Sequence, residues 1–251
     1  MRIPMPHFLG IGAMKAGTSW LAAHLRAHPD IWLRRKELHF FDRAFGRRRY
    51  PFLPDELEAR LRYGGKFLVG ALRGKRTGER TPAYAVLSRD RIAVVHSWMP
   101  TVRLPYIMRD PVERAWAQAR HDFPRFFRKS VRDATESELV AFFDSPNVMQ
   151  RGDYVTCVAN WRSLYHRDQF FFTFLEDVVT DPIGVLRATF RFLEVDSQVE
   201  LDREAVAAPV YAGEQVPIPE WVGEYLRNTL LADVHTLETL IDRRVPWADR
   251  A

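Results

Sequence analysis

Four short apolar runs punctuate the chain, at Phe8–Ile11, Phe67–Val69, Leu104–Met108 and Phe170–Phe174. Their brevity and their density of aromatic and branched side chains suit strands buried on both faces. Between and after them, apolar positions recur at helical intervals over Ser19–Ala27, Val112–Ala119, Tyr154–Tyr165, Pro182–Leu193 and Trp221–Ile241. That period predicts helices. Strands alternating with helices need crossover connections, so the pattern predicts an α/β fold: a parallel sheet flanked by helices on both faces. Arg43–Arg62 and Pro124–Arg151 fit neither period and read as insertions over one end of the sheet. No repeat, Gly/Ser linker or long single-sign charge block divides the chain, so residues 1–251 read as a single domain. Ligands of such sheets bind beyond the carboxyl ends of the strands, which directs attention to the loops after the apolar runs.

Composition narrows the class. With 47% hydrophobic and 27% charged residues, the chain has ordinary globular usage, which excludes intrinsic disorder. The single cysteine, Cys157, can form no internal disulfide, and the eight histidines show no metal-type spacing with it, so no metal site is predicted. No apolar run approaches the ~18 residues of a membrane span. Only six residues precede the run that begins at His7, too few for a signal peptide. The expectation is a soluble, cytoplasmic protein. The net charge is +5, and the basic residues are almost all arginine; the lysines are Lys15, Lys36, Lys66, Lys75 and Lys129. Arginine's planar fork suits phosphate, sulfate and carboxylate, although most of these side chains belong on solvated faces. No basic and aromatic arrangement matches a nucleic-acid recognition module, so nucleic acid is not expected as a partner.

The first strand runs into Gly12-Ala13-Met14-Lys15-Ala16-Gly17-Thr18-Ser19-Trp20, and a helix follows. Two glycines allow a tight turn that presents amide protons to an anion. Thr18 and Ser19 add hydroxyls at a helix N-terminus, where the macrodipole favours negative charge. Read as a nucleotide-triphosphate loop, Gly12-x4-Gly17 is followed by Thr18 where the phosphate-gripping lysine belongs. The lysine stands inside the loop instead, at Lys15. That departure counts against a P-loop kinase, the alternative enzyme reading.

This loop resembles the 5′-phosphosulfate loop of sulfotransferases that use 3′-phosphoadenosine 5′-phosphosulfate (PAPS). The likeness continues through His28-Pro29-Asp30-Ile31 and Lys36-Glu37-Leu38-His39-Phe40-Phe41-Asp42, similar to the heparan-sulfate branch and its bacterial relatives. It extends to Gly78-Glu79-Arg80-Thr81-Pro82-Ala83-Tyr84 and Arg109-Asp110-Pro111-Val112-Glu113-Arg114-Ala115-Trp116, with weaker echoes at Tyr154, Trp161, Glu176-Asp177 and Asp181-Pro182. The resemblance implies a P-loop-NTPase-like sheet and transfer of a sulfuryl group from PAPS to a hydroxyl, or an amine, of a carbohydrate or small-molecule acceptor. It implies that Lys15, Ala16, Gly17, Thr18, Ser19 and Trp20 hold the donor, with Lys15 stabilising the leaving phosphate.

On the acceptor side, alternation puts Glu37 and His39 on one face of an extended segment and Lys36, Leu38 and Phe40 on the other. Beside aromatic residues Glu37 is expected to be desolvated, which raises its pKa and improves it as a base at neutral pH. The resemblance also assigns the general base to Glu37. His39 is the other candidate, as base or as the group that orients Glu37 or the acceptor; the pattern alone favours a surface Glu37 paired with Lys36 or Arg35. Arg80 stands where the family commonly has lysine and is expected near the acceptor or the transferred group.

On the nucleotide side, Arg109 lies just beyond the Leu104–Met108 run, where a fork can grip a terminal phosphate. The resemblance pairs it with a serine eight residues later for the 3′-phosphate; here that position is Ala117, and Gln118 and Arg120 are candidates to compensate. Asp110 and Pro111 are expected to cap and open the next helix, with Glu113 and Arg114 as structural ion-pair partners. The family's basic loop near the C-terminal end has no counterpart between Pro209 and Trp221; Ala212-Gly213-Glu214-Gln215 is nearest and carries no cation. Arg125, Arg128, Lys129 and Arg132 are the candidate replacements. A non-catalytic nucleotide- or glycan-binding module is the reading from a different class, suggested by these two departures and opposed by the intact Lys15, Glu37 and Arg109.

Overall fold

The structure, a computed structural model, describes residues 3–46, 54–208, 215–231 and 233–250. Five strands run parallel: β1 (Phe8–Gly10), β2 (Ile31–Leu33), β3 (Arg76–Arg80), β4 (Leu104–Met108) and β5 (Phe170–Phe174). β3 lies between β1 and β2, β4 pairs with β5, and bridges from Phe8 to Arg103 and from Gly12 to Tyr106 join the two sets. The order across the sheet is therefore β2-β3-β1-β4-β5. Between the two bridges stands Pro105, which has no N–H to give the β1 side. The pairing resumes beyond it one residue out of step, with Ile107 N–H on Gly12 O at 3.0 Å. Such slips re-aim the chain next to a site.

Helices connect and cover the strands: α1 (Thr18–Ala27), α2 (Asp55–Gly64), α3 (Leu68–Leu72), α4 (Arg89–Trp98), α5 (Pro111–Asp122), α6 (Glu136–Phe143), α7 (Pro146–Gly152), α8 (Tyr154–Arg162), α9 (Leu175–Thr180), α10 (Pro182–Phe192), α11 (Arg203–Ala207), α12 (Glu220–Leu230) and α13 (Val234–Ile241). Two hydrophobic clusters mark the two faces of the sheet. Phe8 and Ile107 join α1, α9 and α10 in one, while Leu9, Tyr106 and Met108 join α4, α5, α8 and α12 in the other. That is strand alternation, and it puts helices on both faces as the pattern required.

Three expectations need correction. Phe67–Val69 is no strand: Phe67 ends a short 3-10 turn and α3 follows, with Phe67 buried but Val69 and Leu72 exposed, so the run has only one apolar face to bury. The periodic stretch Trp221–Ile241 is two helices, α12 and α13. The strands β2 and β3 escaped notice; β3 reads Arg-Thr-Gly-Glu-Arg, yet Thr77, Gly78 and Glu79 are all buried. A Cβ at Gly78 would collide with the Phe8 ring on β1, so glycine is what lets these two strands approach. Among the described residues no helix is long and apolar enough to cross a membrane.

Candidate active site

Beyond the Pro105 slip, Ala13 N–H donates to Ile107 O and the chain turns through Lys15, at φ 66°, to Gly17, at φ 89°. Gly17 is the N-cap of α1 and brings no capping side chain, so the first-turn amides of α1 are left for a ligand. Positive φ there suits glycine, and a Cβ would also meet Leu175 Cδ1 at 2.9 Å. Lys15 is half-buried, and burial pulls its pKa down. Asp122 opposes that fall, Arg125 and Arg120 add to it, and Glu37 opposes it again.

Arg80, at the carboxyl end of β3, reaches across the mouth of this loop. Its Nη1 donates to Ser19 Oγ at 3.1 Å and, more weakly, to Thr18 Oγ1 at 3.5 Å, while Nη2 lies 3.2 Å from Glu37 Oε1. Glu37 Oε2 is 3.2 Å from His39 Nε2, and His39 Nδ1 is 2.8 Å from Asp42 Oδ2. Five side chains therefore form one line: Asp42, His39, Glu37, Arg80 and Ser19. Both His39 ring nitrogens face a carboxylate oxygen. The expected desolvation of Glu37 among aromatic residues is not what is found. Its side chain is 30% exposed and lies between a guanidinium and an imidazole.

The segment that holds this line hangs from the turn after β3. Leu38 N–H donates to Thr81 Oγ1 at 3.2 Å, and Phe40 and Phe41 N–H donate to Tyr84 Oη at 2.9 and 3.4 Å. A short π-helical turn over Phe40–Ala44 then brings Asp42 back under His39, which sits at φ 47°. Asp42 was missed as a functional residue; its i+3 spacing from His39 was the available signal.

On the nucleotide side, Asp110 caps α5 through Val112 N–H at 2.8 Å, and Pro111 opens the helix, as expected. Arg109 Nη2 donates to Glu113 Oε2 at 2.9 Å and Nη1 reaches Lys15 O at 3.5 Å, while Tyr154 Oη donates to the Arg109 carbonyl. Glu113 therefore pairs with Arg109, not Arg114. Arg114 is wholly buried and donates to Gln118 Oε1 and Val148 O. Gln118 in turn donates to Asp122, so it cannot replace the missing serine. Ala117 is half-buried one turn beyond Glu113 on the same face of α5, and Arg120, on that face again, donates to Gln215 Oε1 at 3.2 Å. Ala16 is buried in the loop. Trp20 is also buried, its Nε1 donating to Val206 O, so only its backbone can serve a ligand. Lys129 is held by Glu138. Ala212, Gly213 and Glu214 lie outside the described residues.

A five-stranded parallel sheet in this order, with a tight glycine-bounded loop between β1 and α1, is a P-loop-NTPase-like fold. The chain belongs to the sulfotransferase domain family, which matches residues 5–208. It is similar to the heparan sulfate glucosamine 3-O-sulfotransferase 3B1 of Mus musculus, 29% identical over 195 residues, which are 75% of this chain and 46% of that protein. The chain spans about half the length of the curated relatives it matches. A solved sulfotransferase from Alicyclobacillus acidocaldarius superposes with a TM-score of 0.74 at 25% identity, covering 99% of this chain and 100% of that one. Mouse sulfotransferase SULT7A1, solved as a complex with PAP, shares the fold at a TM-score of 0.50 and 16% identity, over 100% of this chain and 90% of that one.

Proposed function

We propose that the chain transfers the sulfuryl group of PAPS to a hydroxyl, or an amine, of a carbohydrate or small-molecule acceptor. The unbroken line from Asp42 through His39, Glu37 and Arg80 to Ser19 supports this reading most directly. Through Arg80 it ties a candidate base to the hydroxyls at the start of α1. The name of the mouse relative, a glucosamine sulfotransferase, supports a carbohydrate acceptor. The lone, buried Cys157 suits a reducing, cytoplasmic setting.

In the reaction, Glu37 takes the acceptor proton as the acceptor oxygen bonds to sulfur and the bond from sulfur to the 5′-phosphate oxygen breaks. The departing phosphate gains negative charge, which Lys15 and the amides of α1 meet. By analogy with phosphoryl transfer, positioning and charge stabilisation carry most of the acceleration. Arg80 serves both ends, fixing Glu37 with one nitrogen and reaching the loop hydroxyls with the other. His39, itself held by Asp42, orients the second oxygen of Glu37. Arg109 takes the 3′-phosphate by exchanging Glu113 for it.

The test is a screen of acceptors with sulfur-labelled PAPS beside calorimetry with PAP and adenosine 5′-phosphate. Label transfer and much tighter binding of PAP are expected; equal affinities would remove the PAPS assignment.

A further inference from the structure

The mechanism makes no use of Glu79, yet this carboxyl is wholly buried and immediately precedes Arg80 on β3. Alternation along the strand sends the two neighbours to opposite faces. Tyr63 Oη donates to Glu79 Oε1 at 3.0 Å. Tyr84 Oη accepts the amides of Phe40 and Phe41. Tyr63 meets the same two residues through its ring, with centroids 4.9 Å from those of both Phe40 and Phe41. Two tyrosines thus grip a single turn, Tyr84 by its amides and Tyr63 by its side chains, and the buried Glu79 carboxyl holds the second of them. Packing alone would not call for a carboxyl here, because burying one is costly. Burial pushes the Glu79 pKa up to about 8; the two tyrosine hydroxyls hold it down, Asp42 adds to the rise and Lys66 opposes it.

We propose that Glu79 is a positioning residue for transfer: by holding Tyr63 against Phe40 and Phe41 it fixes the turn that Tyr84 grips by its amides, and so the setting of His39 and Asp42 against Glu37. This rests on the reading of Glu37 and His39 as the acceptor-side machinery. It adds that the machinery is aligned from the core of the protein, by a group that touches neither substrate.

The experiment compares Glu79→Ala, Glu79→Gln and Tyr84→Phe with wild type by three readouts: kcat, PAP affinity by calorimetry, and the His39 ring-nitrogen resonances, assigned with a His39→Asn spectrum. Glu79→Ala and Tyr84→Phe should each lower kcat about tenfold or more. Both should shift the His39 resonances while PAP affinity stays within about twofold, because the anion loop is untouched. Glu79→Gln, which still accepts from Tyr63, should restore most of kcat at neutral pH. Unchanged kcat and His39 resonances would overturn the proposal, and so would a loss of PAP affinity in step with kcat, the mark of a general scaffold. If Glu37→Gln turns over at the wild-type rate, the reading of Glu37 falls separately, and the His39 resonances still decide whether Glu79 sets the turn.

Discussion

The proposed acceptor side and the proposed nucleotide side of this site are built in opposite ways. Around Glu37, Arg80 and His39 already touch its two carboxylate oxygens, and the backbone of the segment is hung from Thr81 and Tyr84. Around Arg109 the guanidinium is held by Glu113, a partner it must give up to bind a phosphate. A preassembled base needs little reorganisation during the chemical step, which favours turnover. A guanidinium that must exchange partners favours selectivity, because only a ligand with a second terminal anion repays the exchange. The two sides thus divide rate from recognition.

The largest effect that can break this division is at Glu37. Glu37→Gln should lower turnover about 10²–10⁴-fold, the share of a general base, with PAP affinity close to wild type. Stopped-time assays with calorimetry check both; an active Glu37→Gln beside a dead but folded His39→Ala would move the base to His39. Next comes Arg109. Arg109→Ala should erase a PAP preference over adenosine 5′-phosphate of about 2–5 kcal/mol, the cost of stranding a charged partner, without changing the His39 resonances.

A smaller effect reports on the acceptor-side core. Unfolded, Glu79 loses its proton near the ordinary 4.5; folded, near 8. Between these values the folded state holds the extra proton, so its contribution to stability is full below about 4.5 and is lost as pH rises toward 8. Glu79→Gln has no proton to lose and should gain on wild type across that window, by ~1–3 kcal/mol at its upper end. Denaturation midpoints at pH 5 and pH 8 check the sign. The smallest expected change is Ala117→Ser, which should tighten PAP binding by about 0.5–1.5 kcal/mol, one hydrogen bond's net worth. No gain would mean that Arg120 already fills the contact.

These contrasts also explain what could be read in the sequence. β1, β4 and β5 showed themselves because their buried faces are apolar, and Lys15, Glu37 and Arg109 because they stand in loops whose spacing is chemical. β3 stayed hidden because its buried positions are a threonine, a glycine and a carboxyl, each satisfied by a partner far along the chain: His7, the Phe8 ring and Tyr63. Asp42 stayed hidden because only a π-helical turn brings it under His39. Arg114 misled for the opposite reason. A charged residue beside Glu113 reads as a surface ion pair, whereas it is the start of a buried polar line through Gln118 to Asp122.

The interruption at Pro105 has a mechanical consequence. On one side of it, β1, β3 and β2 carry the Lys15 loop and the Glu37–Arg80 line; on the other, β4 leads directly to Arg109. A donor held by both Lys15 and Arg109 would bridge this seam like a rivet, joining two plates whose own stitching skips a position. Nucleotide binding should therefore slow amide hydrogen exchange at Ala13 and Ile107, the bonds that flank the seam, more than at Phe172 inside the β4–β5 pair.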